Sequence, residues 1–299
     1  MKKNSGKYVI KNTASDKIFI FFMYFIGILF ASFCLYPLIY VVSASFSHPD
    51  MISGGKVWLL PKKAQLTAYA AVLKNTEIWI GYKNTIIYSV VGTFINIVMT
   101  TIAAYPISRP DLKGRNLITV MMTFTMFFGG GLIPSFLLVR SLGMYNTMWA
   151  LVIPGAISVY NVLIMRNFFQ TSIPNELVEA AYVDGSSNIR TLLKIVLPLS
   201  KPILAVLVIF YFVGHWNSYF SALIYLNDKT KYPLQMFIRE ILIKSQSFGV
   251  DNLDSSTSGQ LYVSVQYAII IVSSLPVLIM YPFMQRFFVK GVMIGSIKG

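Results

Sequence analysis

Residues 179–198 read EAAYVDGSSNIRTLLKIVLP, a polar stretch set between two long apolar ones. Glu179 and Asp184 offer carboxylates, and Glu176 stands just upstream. Ala180 and Ala181 offer a surface with almost no side chain, and Gly185 offers a backbone shape that other residues resist. These types at this spacing suit docking: polar contacts, close approach and a tight bend. A second group lies at 211–219, where Tyr211, His215, Trp216, Asn217 and Tyr219 mix ring faces with amide and hydroxyl groups. Rings cover the CH-rich side of a pyranose, and amides or hydroxyls answer its many OH groups. Asn161, beside Tyr160, and Asn96 add amides within other apolar stretches.

Covalent chemistry has less to work with. The single cysteine, Cys34, excludes an internal disulfide and a cysteine-based metal cluster. His48 and His215 are far apart and offer no ligand spacing, so no metal site is expected. No nucleophile has a placed base, and no Gly-x-x-x-x-Gly-Lys-Ser/Thr loop occurs. The chain is therefore expected to catalyse nothing and to hold no cofactor. If ATP and Mg²⁺ are used, they belong to another chain.

The elements that must position these residues are membrane helices. The chain is 56% hydrophobic and 12% charged, about half the charge of a soluble domain. About 20 apolar residues cross the hydrocarbon as a helix. Six segments qualify: Ile18–Val42, Asn84–Ser108, Leu117–Val139, Thr147–Met165, Pro202–Leu226 and Val265–Gln285. All 25 basic and 11 acidic residues fall outside them, as expected when a charge at mid-span costs at least a few kcal/mol. The fold class expected is all-α, with six transmembrane helices. The basic N-terminus followed by an apolar run resembles a signal peptide, but Ile18–Val42 is too long for one and is read as a retained span. The net charge of +14 is assigned to loops facing anionic lipid headgroups and not to nucleic acid.

Orientation follows from Lys and Arg in short loops. With the N-terminus inside, the inner segments carry Lys2, Lys3, Lys7, Lys11, Lys17, Arg109, Lys113, Arg115, Arg166, Arg190, Lys194, Lys201, Arg286, Lys290 and Lys298, fifteen of the 25 cations. Both termini are thus expected in the cytoplasm, as tails over 1–17 and 289–299 flanking a membrane domain over 18–288. The outer loops Ser43–Lys83 and Asn227–Ser264 are long; GVDNLDSSTSG in the second is Gly/Ser-rich and expected to be mobile.

The inner loop 166–201 has helix punctuation. Thr171 or Ser172 can cap a helix whose first turn accepts Pro174. Leu177 with Ala181, and Val178 with Tyr182, give it one apolar face. Asp184-Gly185 stops it, and Ser187 can cap a second helix from Asn188 to about Val196. Pro198 and Pro202 frame the exit. The pattern fits both an amphipathic helix lying in the lipid interface and one docked into another protein's groove. For the polar residues inside spans, interhelical hydrogen bonding is the alternative to lining a path. Trp216 also suits an interface belt, and His215 a satisfied bundle histidine. Gly129-Gly130-Gly131 before Pro134 breaks regularity in the third span, and Pro106, Pro154, Pro276 and Pro282 invite kinks.

Glu179-Ala180-Ala181, Gly185 and Val196-Leu197-Pro198 together resemble the EAA loop of importer-type ABC transporter permeases. Six spans with this loop between the fourth and fifth resemble the MalG-like carbohydrate importers. GGGLIPSFLLVRSLGMYNT is similar to permeases of the LplC/YtcP oligosaccharide type. HWNSYFSALIYL resembles the fifth-span signature of sugar permeases, with Ala222 where a proline is frequent. The resemblance covers nearly the whole chain.

It implies a type I importer permease in a bacterial cell membrane. Partners implied are a second, related permease chain, two cytoplasmic ATPase subunits and an extracytoplasmic solute-binding protein that delivers an oligosaccharide. Loop 166–201 would supply the coupling helix, with Glu176, Glu179, Ala180, Ala181, Asp184 and Gly185 toward the ATPase. Asn161, Tyr211, His215, Trp216, Asn217 and Tyr219 would line the substrate path. An ion-coupled sugar carrier is the alternative; the lack of any carboxylate in the six segments weighs against a proton relay.

Overall fold

The computed structural model describes residues 13–251 and 257–296, with side chains over 13–244 and 261–282. The expected tail cations Lys2, Lys3, Lys7, Lys11 and Lys298 lie outside the described residues, as do the side chains of Arg286 and Lys290 and residues 252–256 of the Gly/Ser-rich stretch.

Every regular element among the described residues is helical. In order they are α1 (Ala14–Ser45), α2 (Pro49–Ser53), α3 (Thr67–Lys74), α4 (Thr76–Ser108), α5 (Arg115–Phe127), α6 (Leu132–Ser141), α7 (Trp149–Val152), α8 (Val159–Ser172), α9 (Asn175–Val183), α10 (Asn188–Thr191), α11 (Leu197–Leu199), α12 (Lys201–Trp216), α13 (Phe220–Tyr225), α14 (Leu234–Asp251) and α15 (Thr257–Ser296). A π-helical turn, Leu192–Val196, joins α10 to α11. Pro198 lacks the N–H that would bond Lys194, and the backbone widens just ahead of it.

Among the described residues, three stretches are long and apolar enough to cross a membrane unbroken: α1, α4 and Leu261–Pro282 within α15. Two more arise if each bent pair counts once, α5 with α6 at 109° and Asn188–Leu199 with α12 at 84°. Of the six spans expected, three to five meet this test of length and composition, because several of the apolar segments are broken. Gly129-Gly130-Gly131 divides the third, with Gly131 at φ +83°. Pro154 and Gly155 divide the fourth into α7 and α8. Asn217–Tyr219 divides the fifth into α12 and α13. Pro37, Pro106, Pro276 and Pro282, in contrast, sit inside continuous helices. The ends also differ from expectation. α1 starts within the expected tail, because Thr13 and Asp16 form a capping box. α15 stays helical to Ser296, and the expected loop Asn227–Ser264 contains α14.

The chain divides into two compact units. In the first, which ends at Ala70 and resumes over 251–271, the segment after α1 is tied down by hydrogen bonds. The Ser43 hydroxyl donates to the Leu59 carbonyl (2.6 Å), and the Lys62 N–H donates to Ser47 Oγ (3.0 Å). Ala44, Ile52 and Val57 form its core with Tyr40 and Tyr267.

The second unit, 71–250 and 272–299, is built on α4, against which α12 and α8 pack. Its largest buried cluster takes Ala104, Tyr105 and Ile107 from α4, Val162, Met165 and Phe169 from α8, and Ile203, Leu207 and Tyr211 from α12. Val178 of α9 and Val196 belong to the same cluster. Toward the start of α4, Gly81 lets the chain pass closely: a Cβ there would stand 2.9 Å from the Leu234 Cα. Asn84 donates to the Thr230 and Tyr232 carbonyls, and Thr85 Oγ1 accepts from the Leu234 N–H (2.8 Å).

Candidate functional site

The polar stretch at 175–199 is two short helical pieces joined by a closed elbow. Pro174 occupies the position just before α9 and not its first turn. The expected caps are used otherwise: Ser172 ends α8, and the Thr171 hydroxyl donates back to the Asn167 carbonyl (2.9 Å). α9 ends in a Schellman motif. The Ser186 N–H donates to the Ala181 carbonyl (2.9 Å), the Gly185 N–H to the Tyr182 carbonyl (3.0 Å), and Gly185 sits at φ +75°. No atom lies within 4 Å of a Cβ built on Gly185, so the demand there is backbone shape, not space. Ser187 then caps α10, as expected, by accepting from the Arg190 N–H.

The apolar face of α9 is narrower than the sequence suggests. Val178 (1% exposed) and Ala181 (6%) turn inward with half-buried Tyr182, whereas Leu177 is 44% exposed. The two alanines therefore separate: Ala181 packs inside, and Ala180 faces out with Glu176, Glu179, Asp184 and Gly185. Leu177, Ala180, Ala181, Asp184, Ser186, Arg190 and Lys194 line an open concavity of about 360 Å³. Val183 and Ile189 are 88% and 71% exposed. The elbow thus presents an unpartnered outer face of mixed charge and apolar side chains, while its inner face belongs to the core of α4, α8 and α12.

Two long side chains fix the end of α4. Arg166 Nε donates to the Ile107 carbonyl (3.1 Å) and Gln170 Nε2 to the Ser108 carbonyl (3.3 Å). Both lie on one face of α8, four residues apart. They satisfy carbonyls that a helix end leaves free, and the cation suits the negative end of the dipole.

The second candidate group forms a seam between α4 and α12. Tyr211 and His215 share one face of α12, as their spacing predicts. They meet Thr100 and Asn96, which share one face of α4. Thr100 Oγ1 and the Tyr211 hydroxyl are 2.6 Å apart, and His215 Nε2 is 2.6 Å from Asn96 Oδ1. The Asn96 amide also donates to the Gly155 and Ala156 carbonyls (2.7 and 2.9 Å). These are the groups freed where the fourth span breaks, so one buried amide repairs the break. Trp216 donates to the Ser273 carbonyl (3.2 Å) and stacks on Phe212. Asn161 is buried in α8, where its N–H is capped by Ser158 Oγ.

Of the six residues expected along a path, Asn161, Tyr211 and Trp216 are buried within the chain. His215 is occupied in the seam. Only Asn217 and Tyr219 are exposed, at the break between α12 and α13. Asn217 donates to the Val213 carbonyl (3.0 Å). The seam partners missed from sequence are Gly92 and Thr100, although a small or hydroxyl residue every fourth position from Thr85 to Thr93 marks the face that α4 buries. Among the described residues no group of acidic, histidine or cysteine side chains could hold a metal.

Residues 78–294 match the family described as "Binding-protein-dependent transport system inner membrane component". The chain belongs to this family. The permease is 38% identical over 285 residues to the polygalacturonan/rhamnogalacturonan transport system permease protein YtcP of Bacillus subtilis, covering 95% of this chain and 99% of that one. It is 37% identical over 296 residues to protein LplC of the same organism, covering 98% and 99%. Among solved structures it resembles a chain of a bacterial ABC transporter involved in the import of the acidic polysaccharide alginate. That likeness has a TM-score of 0.84 and 34% identity, covering 94% of the permease and all of that chain. The permease is accordingly a membrane component of a transport system, on a type I ABC importer fold.

Proposed function

We propose that this permease translocates an oligosaccharide, with acidic glycans the first class to test, and that the elbow at 175–199 couples it to a separate ATPase. The carrying observation is the two-sided elbow: an outward face of Glu176, Glu179, Ala180, Asp184 and Gly185, and an inward face of Val178, Tyr182 and Val196 built into the core of α4, α8 and α12. A push on the outer face is passed to three helices at once. The names of YtcP and of the alginate importer, both tied to uronate-bearing polymers, support the substrate class.

In this reading both termini and the elbow face the cytoplasm. A second related permease chain completes the pathway, two ATPase subunits bind ATP and Mg²⁺, and an extracytoplasmic solute-binding protein delivers the sugar. Asn217 and Tyr219 are the residues of the α12–α13 break that can reach a passing glycan. Asn161, Tyr211, His215 and Trp216 hold the helices together around it.

The test is to express the permease with its neighbouring transport subunits, purify the assembly and reconstitute it. Expected is ATP hydrolysis that rises with binding protein plus galacturonate or alginate oligomers and not with neutral maltooligosaccharides. Uptake driven by a sodium or proton gradient without ATP overturns the reading. A cysteine at Ala180 that reacts with an impermeant reagent from outside intact cells overturns the orientation.

A further inference from the structure

Next to the elbow, a separate cavity of about 490 Å³ opens beside the last turns of α4. Its wall is apolar, made by Ile102, Pro106, Leu112, Ile189 and Leu192. Its rim holds Arg109 and Lys113 against one carboxylate, Asp111. Arg109 is positioned before any ligand arrives. Its guanidinium lies 5.9 Å over the Tyr182 ring, and its buried Nε makes no hydrogen bond, only an ion pair with Asp111 Oδ1. Asp111 Oδ1 stands 3.5 Å away, on a side chain that is 66% exposed and so well hydrated. Lys113 is exposed, and Arg115 follows half-buried. The rim keeps a positive balance.

We propose that this cavity binds an anionic phospholipid, with the phosphate between Arg109 and Lys113 and an acyl chain along Ile102, Leu112, Ile189 and Leu192. Charge complementarity selects the headgroup: two cations face one exposed carboxylate at the rim, a phosphodiester balances the excess, and guanidinium–phosphate pairing is strong. The apolar wall selects a lipid over a free anion, since a soluble phosphate leaves that wall wet. The position agrees, because the cavity lies where apolar α4 ends and the charged segment 109–115 begins, the level of the headgroups. Asn188, Ile189 and Leu192 follow the elbow directly, so the lipid touches the second piece of the coupling segment. This part rests on the proposed coupling role, but the lipid site itself does not.

The test reads bound lipid, not transport. The intact assembly is extracted from vesicles of phosphatidylcholine with phosphatidylglycerol, and retained lipid is counted by native mass spectrometry. Expected is retained phosphatidylglycerol in the wild type and about fivefold weaker retention for each cation removed, in Arg109→Gln and in Lys113→Gln. Ile189→Asp should lose it as well. Lys113→Gln changes an exposed side chain and keeps the question answerable if Arg109→Gln misfolds. Wild-type retention in Lys113→Gln and Ile189→Asp overturns the proposal. So does displacement by inorganic phosphate or by glycerophosphoglycerol, which marks an anion site without a lipid. A photocrosslinker at Ile189 that captures a partner subunit instead of phosphatidylglycerol overturns it too.

Discussion

The imidazole of His215 rests directly on the backbone of Gly92: a Cβ built on that glycine would stand 2.4 Å from Nε2 and 2.6 Å from Cε1. Glycine is required at this point of α4 for closeness, not for an unusual backbone. It lets α12 approach until His215 reaches Asn96, one turn further along.

Gly92→Ala should therefore destabilise the permease by about 1–3 kcal/mol, the usual cost of overpacking. His215→Ala in the same chain should restore much of that loss, because it removes the colliding ring. A double-mutant cycle on thermal unfolding of the purified assembly measures the coupling. Simple additivity of the two changes would remove the close-packing account.

Asn96→Leu keeps the volume but strands three groups, the Gly155 and Ala156 carbonyls and His215. The expected loss is about 1–3 kcal/mol in all, because Gly155 is exposed and Ala156 and His215 are only half-buried, so each stranded group costs less than a fully buried one. Hydrogen exchange should rise over residues 153–158 before it rises elsewhere. Unchanged protection there would show that the amide does not hold the break between α7 and α8.

At Gly185 the substitution series separates backbone from bulk. Space around the Cβ is open, so size alone should not matter. Asn tolerates the left-handed region, Ala less so, and Val costs about 1–2 kcal/mol. Coupling of ATP hydrolysis to uptake should fall in the order Gly, Asn, Ala, Val, while membrane insertion stays constant. A decline that follows side-chain volume in place of this order would point to a crowded contact.

Ala180 and Ala181 should fail differently. Ala180→Leu changes the outer face and should weaken ATPase co-purification with little change in melting temperature. Ala181→Leu forces a larger side chain into a position that is 6% exposed and should lower stability by about 1–3 kcal/mol. Pull-down yield and thermal melts, measured on both variants, distinguish the two. Equal effects on both readouts would undo the assignment of faces.

The elbow was largely legible in the sequence because its signals are local. Asp184-Gly185 forced the stop, Ser187 capped the restart, and Pro198 marked the exit. The spans were legible as composition, and their glycine and proline positions as sites of irregularity; which of these would break the helix was not. Hydropathy registers that 117–139 and 147–165 are oily, yet it is blind to Gly129–Gly131 and Pro154-Gly155 turning the chain. Whether a proline breaks a helix depends on who satisfies the freed carbonyls. Pro276 sits within an unbroken helix, and Pro154 lies in a break that Asn96 repairs from another element. The site suffered the same limit. The four-residue spacing of Tyr211 and His215 revealed a shared face, but only the position of α4 reveals that this face is closed.

Many of the ties that run from side chains of this unit end on backbone oxygens: Asn84 on Thr230 and Tyr232, Tyr88 on Lys231, Asn96 on Gly155 and Ala156, Arg166 on Ile107, Gln170 on Ser108, Trp216 on Ser273. A peptide oxygen is present whatever residue stands there. Drift is therefore free at the receiving end and forbidden at the giving end. Exposed receivers such as Thr230 and Gly155 can change identity over evolutionary time while the scaffold keeps its joints, so surface loops can be retuned to new cargo without redesigning the helices beneath them.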